Sequence, residues 1–338
     1  MAAPTRVVAL ASVIPPIVPS RCDSYRVDGR ALTPAQREVL DLIRVPHDAR
    51  REWPATLRDE LDARLCDELA DVARAIPDGE QLWVAKTALE AVHGCEARWQ
   101  ADRFQWSVPT ARGRVAHKAI ELTIAWKGDP APQDLVSEAL GRLAGEDSGL
   151  ADFLQTCGEA ARADLAAQAT TVVDGFLTTF PPLTRGFRPT AESPRRWPLL
   201  DDRIVLAARF DLTLGVPHGT TAGRVVVELK SGSATPGHVD DLRFYALMET
   251  LVTGVPPLSV VAHYPGGGRP YVEPITEAVL EAALRRTVAG ARRLAELQFA
   301  QADARRRPGV ACRWCSISAD CEPGRQWLDG VPDEPGWS

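Results

Sequence analysis

A short apolar run that ends in two charged side chains constrains the fold of this chain most strongly. Three consecutive valines, residues 225–227, are followed by Glu228, Leu229 and Lys230. Alternate side chains of a β-strand point to opposite faces, so Glu228 and Lys230 would lie on the same side. Ionisable groups beside a core cost free energy unless they are paired or bind a metal ion. The pattern therefore predicts a core strand with a functional site at its end.

A further acidic residue, Asp211, lies in the run that precedes this strand. Residues 204–214 and 224–230 read as strands joined through the turn region 215–223, which predicts an antiparallel hairpin that brings Asp211 near Glu228. A divalent cation relieves the repulsion between two carboxylates, and oxygen ligands suit Mg²⁺ or Mn²⁺. A neighbouring lysine can orient the water that attacks a phosphodiester. A hairpin-end aspartate beside a surface ion pair of Glu228 with Lys230 explains the same residues equally well.

Length and composition limit the class of protein. The chain has 338 residues, of which 45% are hydrophobic and 25% charged, as in a folded globular protein. A net charge of −6 argues against non-specific coating of nucleic acid but is compatible with a local basic groove. Prolines interrupt the first twenty residues, and no run is apolar enough for a transmembrane helix. We expect a soluble cytoplasmic protein with no signal peptide and no membrane partner.

The remaining sequence reads as helices around one α/β unit. The predicted segments are a helical N-terminal extension (1–81), two helices between 82 and 126, a helical insertion (about 130–180), a loop rich in proline and arginine (181–198), alternating strands and helices (204–304), and a tail (328–338). Of the two helices before the insertion, the second is predicted to begin near Gly113 and to place His117 and Glu121 on one face. Alternation of strands and helices predicts an α/β domain.

Cysteines cluster near the C-terminus. Cys312, Cys315 and Cys321 lie within ten residues, and the chain has seven cysteines in all. One CxxC pair only suggests a metal site, and a fourth ligand is needed. A zinc site built from these cysteines, or with His93 in place of one of the ligands, is one interpretation.

Together these motifs resemble the PD-(D/E)XK nuclease superfamily, in its RecB-like branch. In that family a first acid, here Asp211, and a second acid with its lysine, here Glu228 and Lys230, form the metal site. Upstream, the sequence Gly-Arg-Val-Ala-His that ends at His117 looks like the RecB-like helix whose histidine is a metal ligand. Downstream, the segment that ends at Tyr245 occupies the place of the QxxxY motif.

Two departures from the family pattern concern single residues. The proline of the family name is absent before Asp211, as in many RecB-like members. Asp241 stands where the QxxxY motif has glutamine, so the match at this motif rests on Tyr245 and the resemblance does not extend to a contact of Asp241 with DNA.

The resemblance implies a fold and a reaction. The fold is a restriction-endonuclease-like α/β core, a small mixed sheet flanked by helices, within residues 82–327. The implied ligands of Mg²⁺ or Mn²⁺ are His117, Asp211, Glu228 and the carbonyl oxygen of Leu229. The amine of Lys230 would orient the attacking water. The implied substrate is DNA, cut as an exonuclease acting on ends or single strands.

The cysteines fit one branch of the same family. One early cysteine with three late ones is the arrangement of RecB-like nucleases that carry an iron-sulfur cluster, including CRISPR-associated exonucleases and the AddB-type nuclease domain. In such proteins a 4Fe-4S cluster joins the two ends of the domain. The resemblance assigns the four ligands to Cys95, Cys312, Cys315 and Cys321.

Two other functions remain compatible with the sequence. A non-catalytic DNA-binding or scaffold subunit of a repair or defence complex would retain the fold and the cysteines. A zinc-stabilised interaction module would make the carboxylate pair a coincidence. Because the chain contains no GxxxxGK[ST] motif, processive degradation would need a helicase or another repair or defence protein as partner.

Overall fold

A six-stranded mixed sheet forms the centre of the structure. The computed structural model describes residues 26–27, 30–230 and 237–330. The strands of this sheet are β3 (Leu82–Ala85), β4 (Thr190–Leu199), β5 (Ile204–Gly215), β6 (Arg224–Leu229), β7 (Ser259–His263) and β8 (Tyr271–Pro274), preceded by a small ladder of β1 (Arg26–Val27) and β2 (Arg30–Ala31). The order is β3-β5-β6-β7-β8, and β4 also pairs with β5. Parallel pairs (β3 with β5, β6 with β7) alternate with antiparallel ones.

Helices cover both faces of the sheet. They are α1 (Pro34–Ile43), α2 (Leu57–Ala75), α3 (Lys86–His93), α4 (Glu96–Ala101), α5 (Val108–Thr123), α6 (Pro132–Glu146), α7 (Ser148–Thr156), α8 (Glu159–Thr179), α9 (Gly237–Thr253), α10 (Glu277–Phe299) and α11 (Glu322–Gly330). One core lies between the sheet and α2, α3, α9 and α10, and another between the sheet and α1, α5 and α8. The predicted α/β class, a small mixed sheet flanked by helices, is confirmed. No helix in the described ranges is long and apolar enough to cross a membrane.

The predicted N-terminal extension packs against the sheet. Leu61, Leu65 and Leu69 of α2 lie on one helical face and are buried in the same core as the strands. The first 25 residues of the predicted extension and the last eight of the predicted tail lie outside the described residues. The domain boundaries themselves stay a prediction.

The predicted helical insertion consists of α6, α7 and α8. These helices form a separate apolar cluster with α5, in which Leu135, Leu143 and Leu165 are fully buried. Because α5 carries His117, this cluster fixes the histidine helix against α6 and α8, while Ile120 of α5 packs on the sheet.

Three local predictions were wrong. Residues 181–198 were predicted to be a loop, but β4 occupies their second half; Pro194 and Pro198 are tolerated there because β4 pairs with β5 along one edge. The start of the predicted helical region after Leu82 is the strand β3. Helix α5 begins at Val108 rather than near Gly113, because Ser107 caps it and proline is accepted in a first helical turn.

The antiparallel hairpin of residues 204–214 and 224–230 is confirmed. Leu212 pairs with Val227 and Leu214 with Val225. The strand β6 then continues into β7 in parallel register, with Val227 opposite Val261. The acidic end of β6 is therefore an interior position of the sheet, which the apolar run predicted.

Gly175 allows a close approach between α8 and the loop after β7. A Cβ at this position would overlap the carbonyl oxygen of Pro265. We expect Gly175→Ala to lower the free energy of unfolding by about 1–3 kcal/mol, because backbone on both sides of the contact must move. Urea denaturation followed by circular dichroism measures this change.

Gly141→Ala is the matched control. Gly141 lies in α6, where a Cβ meets nothing within 4 Å. Alanine should raise the free energy of unfolding there by about 0.5–1 kcal/mol through helix propensity. If the two substitutions changed the free energy of unfolding by the same amount, the interpretation that Gly175 permits a close approach would be contradicted.

Candidate active site

Three acidic residues lie side by side on three neighbouring strands. In the antiparallel register of β4 and β5, Glu192 stands opposite Asp211. In the register of β5 and β6, Leu212 pairs with Val227, so the next position places Asp211 opposite Glu228. Adjacent carboxylates repel each other strongly where water is scarce. This row therefore requires cations, protons or basic side chains around it.

Glu192 has a left-handed backbone, with φ of 47°. Such a conformation costs a non-glycine residue about 1–3 kcal/mol and persists where surrounding contacts impose it. One of its carboxylate oxygens lies 3.7 Å from Nδ1 of His117. The other lies 3.5 Å from guanidinium nitrogens of both Arg114 and Arg209. Glu192 thus belongs to the site.

His117, Asp211 and the backbone of Leu229 meet in one place. Nδ1 of His117 lies 3.4 Å from Oδ1 of Asp211, and Nε2 lies 3.2 Å from the carbonyl oxygen of Leu229. The amide of Leu229 donates a hydrogen bond of 2.8 Å to Oδ2 of Asp211. Within the described ranges, His117, Asp211 and Glu192 offer potential metal-ligand atoms that all lie within 4.8 Å of one another.

The charges of this group shift the pKa values of its members. Burial opposes the charge on His117, but Asp211 and Glu192 outweigh it and raise the pKa of His117 to about 10. Burial and the neighbouring Glu228 raise the pKa of Asp211 above its ordinary value. Burial also opposes the charge on Glu192, yet His117 and Arg114 hold its pKa below the ordinary value. Without a cation, a proton on His117 compensates Asp211 and, together with Arg114 and Arg209, Glu192.

Glu228 has two lysines on one of its oxygens. Its Oε1 lies 2.6 Å from Nζ of Lys86 and 3.0 Å from Nζ of Lys230. The residue is only 3% exposed. Burial opposes its charge, but the two ammonium groups outweigh burial and lower the pKa of Glu228 to about 2. Glu228 is therefore a carboxylate at every ordinary pH.

The second oxygen of Glu228 distinguishes the site from a simple ion-pair network. Oε2 is buried and has no hydrogen-bond partner among the described residues. Buried polar atoms are nearly always partnered, so such an atom calls for an explanation, and an ion is one. The donor set of carboxylates, a backbone carbonyl and one imidazole fits Mg²⁺ or Mn²⁺.

Asp241 and Tyr245 of α9 complete the surroundings of the lysines. Oδ2 of Asp241 lies 3.2 Å from Nζ of Lys230. The Tyr245 ring packs against Phe210 with centroids 4.9 Å apart, and Nζ of Lys86 lies 5.4 Å from its centroid. Burial and the charge of Glu228 raise the pKa of Tyr245, so its hydroxyl stays protonated. Both residues at the QxxxY position therefore lie beside the lysines that contact Glu228.

The structure brings together the residues that were predicted to form the nuclease site, and two further residues, Glu192 and Lys86, contact them. Sequence reasoning missed Glu192, because the stretch around it was interpreted as a loop. It also missed Lys86, although a signal was present. Lys86 directly follows the apolar strand β3, as Lys230 follows β6, and the chain has only four lysines.

The four predicted cysteine ligands do not form a compact group within the described ranges, where no three of their sulfur atoms all lie within 4.8 Å of one another. Sγ of Cys95 accepts a hydrogen bond from the amide of Arg307 at 3.5 Å, and Sγ of Cys312 accepts one from the amide of Gly309 at 3.4 Å. A Cβ on Gly324 would lie 3.3 Å from Sγ of Cys321 and 3.6 Å from that of Cys312. Cys315 is half-buried, and all four are free thiols.

Comparison with known proteins identifies the family. Residues 84–322 match the profile of the PD-(D/E)XK nuclease superfamily. The chain belongs to the PD-(D/E)XK nuclease superfamily. A search of curated proteins found no match. Members of the superfamily usually use Mg²⁺ or Mn²⁺, which agrees with the donor set of the candidate site.

Two solved structures are similar to this PD-(D/E)XK protein at low identity. The protein SSO0001 is 14% identical, with 80% of this chain and 97% of that chain covered and a TM-score of 0.32. A protein from Eubacterium rectale, named as an exonuclease, is 10% identical, with 75% and 90% covered and a TM-score of 0.40. At these scores the two likenesses carry no argument about function.

Metal binding should displace a proton from His117. A metal ligand must be a neutral imidazole, whereas His117 with a pKa of about 10 is protonated at pH 7.5 without a cation. We expect Mn²⁺ to release about one proton more from the wild type than from His117→Gln at pH 7.5. Affinity of the wild type for Mn²⁺ should rise as pH rises from 6 towards 10. Calorimetry in two buffers of different ionisation enthalpy measures the proton release.

His93→Gln serves as the control. Burial lowers the pKa of His93, so its imidazole is already neutral at pH 7.5 and has no proton to lose. This variant should release as many protons as the wild type. Equal proton release from the wild type and His117→Gln would contradict the assignment of His117 as a ligand.

Proposed function

We propose that this PD-(D/E)XK protein is a Mg²⁺- or Mn²⁺-dependent deoxyribonuclease that hydrolyses phosphodiester bonds, acting as an exonuclease on DNA ends or single strands. The observation that carries the proposal is the buried Oε2 of Glu228, which has no hydrogen-bond partner among the described residues. Glu228 stands opposite Asp211 in the sheet, His117 contacts Asp211, and the amine of Lys230 contacts the other oxygen of Glu228. These are the groups that metal-assisted phosphodiester hydrolysis requires.

Each group has a defined part in the proposed reaction. The ligands would be His117, Asp211, Oε2 of Glu228 and the carbonyl oxygen of Leu229, with Glu192 as a further acid in reach. A bound Mg²⁺ or Mn²⁺ supplies Lewis-acid stabilisation of the charge that develops on the phosphate oxygens. Lys230 would donate a hydrogen bond that orients the attacking water. Tyr245 keeps its proton and helps to exclude solvent from Glu228.

Two arginines support DNA as the substrate. Arg114 and Arg209 both approach Glu192 at 3.5 Å, and the Arg209 side chain is 60% exposed. Guanidinium groups bind phosphate oxygens in a planar, two-pronged manner. A phosphate backbone could therefore be held at the rim of the site, even though the chain as a whole is acidic.

The proposed reaction predicts the effect of removing one acid. Asp211→Ala should lower Mn²⁺-dependent cleavage of DNA by at least about 100-fold, because the loss of a metal ligand removes several kcal/mol of transition-state stabilisation. The assay follows degradation of end-labelled single- and double-stranded DNA with Mn²⁺, with Mg²⁺ and with chelator. Asp174→Ala, at an exposed position of α8, should leave cleavage unchanged.

The same cleavage assay distinguishes a nuclease from a non-catalytic scaffold subunit. A scaffold subunit that retains only the fold would show no Mn²⁺-dependent cleavage by the wild type. Cleavage that persists undiminished in Asp211→Ala would show that the activity belongs to another protein. The family match removes the alternative of a zinc module without nuclease ancestry.

We further propose that Cys95, Cys312, Cys315 and Cys321 hold a 4Fe-4S cluster. Support comes from the backbone amides that point at Sγ of Cys95 and Cys312, because hydrogen bonds to sulfur stabilise ligated thiolates. The cluster would join the segment before α5 to the C-terminal segment. Cross-linking such distant parts of a chain restricts the unfolded state, which adds on the order of several kcal/mol in principle.

Colour distinguishes this cluster from zinc. Protein purified without oxygen should be brown, with visible charge-transfer absorption and about four iron atoms per chain by metal analysis, the number in a 4Fe-4S cluster. Cys95→Ser should lose the absorption and lower the melting temperature. Cys157→Ser, at a half-buried thiol of another region, should retain both. A colourless protein that contains one zinc ion would contradict the proposal.

The sequence contains no GxxxxGK[ST] motif of a P-loop motor. If the nuclease degrades long duplexes processively, we propose that a separate helicase unwinds them.

A further inference from the structure

The amine of Lys86 has no role in the reaction described above. Lys86 begins α3, directly after β3, and its side chain is 20% exposed. Its Nζ lies 2.6 Å from Oε1 of Glu228, a shorter separation than the 3.0 Å of Lys230. The ring of Tyr245 lies beside the ammonium group, which is a favourable position for a cation. The lysine is therefore held in place by two independent contacts.

Lys86 and Lys230 differ in the carboxylates with which they form ion pairs. Lys230 is shared between Glu228, at 3.0 Å, and Asp241, at 3.2 Å. Lys86 makes its ion pair with Glu228. A buried carboxylate needs a counter-charge, and breaking such a pair leaves an uncompensated charge. If Lys86 were absent, Lys230 would have to supply that charge alone.

We propose that Lys86 is a positioning residue: it shares the charge of Glu228 with Lys230, so that Lys230 can orient the attacking water without leaving the acid uncompensated. This inference rests on the proposed nuclease function. With two lysines at Glu228, one can compensate the charge of the acid while the other contacts the attacking water. Both lysines contact Oε1 of Glu228, and its Oε2 has no hydrogen-bond partner among the described residues.

The test compares Lys86→Met, Lys86→Arg and the wild type as full-length chains. Lys86→Met should lower kcat for Mn²⁺-dependent DNA cleavage by about 10–100-fold, the usual effect of losing a group that supports a metal ligand. KM for DNA should change less than about threefold, because ground-state binding is not involved. Lys86→Arg should recover most of kcat, since it restores the positive charge beside Glu228.

A measurement without DNA accompanies the kinetics. Calorimetric titration with Mn²⁺ should show that Lys86→Met binds the ion at least as tightly as the wild type, because a positive charge beside the ligands has been removed. Lys118→Met is the matched control, since Lys118 is a largely buried lysine whose ion pairs are with Glu121 and Glu146. This control should retain kcat, and melting curves should show that all variants are folded.

Several results would overturn the inference. They are an unchanged kcat in Lys86→Met, an effect confined to KM, no recovery by Lys86→Arg, or a loss of Mn²⁺ affinity in Lys86→Met, since removal of a nearby positive charge should strengthen binding of the ion. A wild type that does not cleave DNA with Mn²⁺ would instead refute the proposed function, and the inference with it. A wild type that cleaves while Lys86→Met cleaves equally well refutes the inference alone.

Discussion

Burial of the Glu228 carboxylate is the constraint on which the site depends. A charged acid at 3% exposure would be severely destabilising alone, so the fold must bring basic groups to it. It does so from two elements that are distant in sequence, with Lys86 at the start of α3 and Lys230 at the end of β6. The helix α9 then holds both lysines, through the Tyr245 ring and the Asp241 carboxylate. The packing of α3 and α9 on the sheet therefore also positions the lysines that compensate the negative charge of Glu228.

The other half of the site depends on α5. His117 reaches Asp211 and Glu192 because α5 and α8 pack together on the sheet, with α6 packed against both helices. The strained backbone of Glu192 belongs to the same arrangement, since left-handed conformations of non-glycine residues persist where function and packing impose them. A helical insertion without a chemical motif therefore contributes to the site by positioning a histidine.

A second set of contacts connects the two ends of the nuclease domain. The carboxylate of Glu96, next to Cys95, accepts two hydrogen bonds from Arg293 and one from the amide of Arg305. Glu96 is 1% exposed, and these bonds satisfy it. They place the Cys95 segment beside the chain that leads to Cys312, whether or not a cluster is bound. Protein contacts therefore hold the cysteine-containing segments in place, in addition to any metal that these segments bind.

The sequence alone determined the class of the fold, the hairpin that joins Asp211 to Glu228, and the side of the strand that Lys230 shares with Glu228. These follow from period-two alternation and from motif order, which are local properties of the chain. Tertiary structure alone decided that Lys86 and Glu192 join the site and that, within the described ranges, one oxygen of Glu228 has no hydrogen-bond partner. It also decided that a proline-containing stretch forms an edge strand. Such facts depend on contacts between residues far apart in sequence, for which local pattern carries no information.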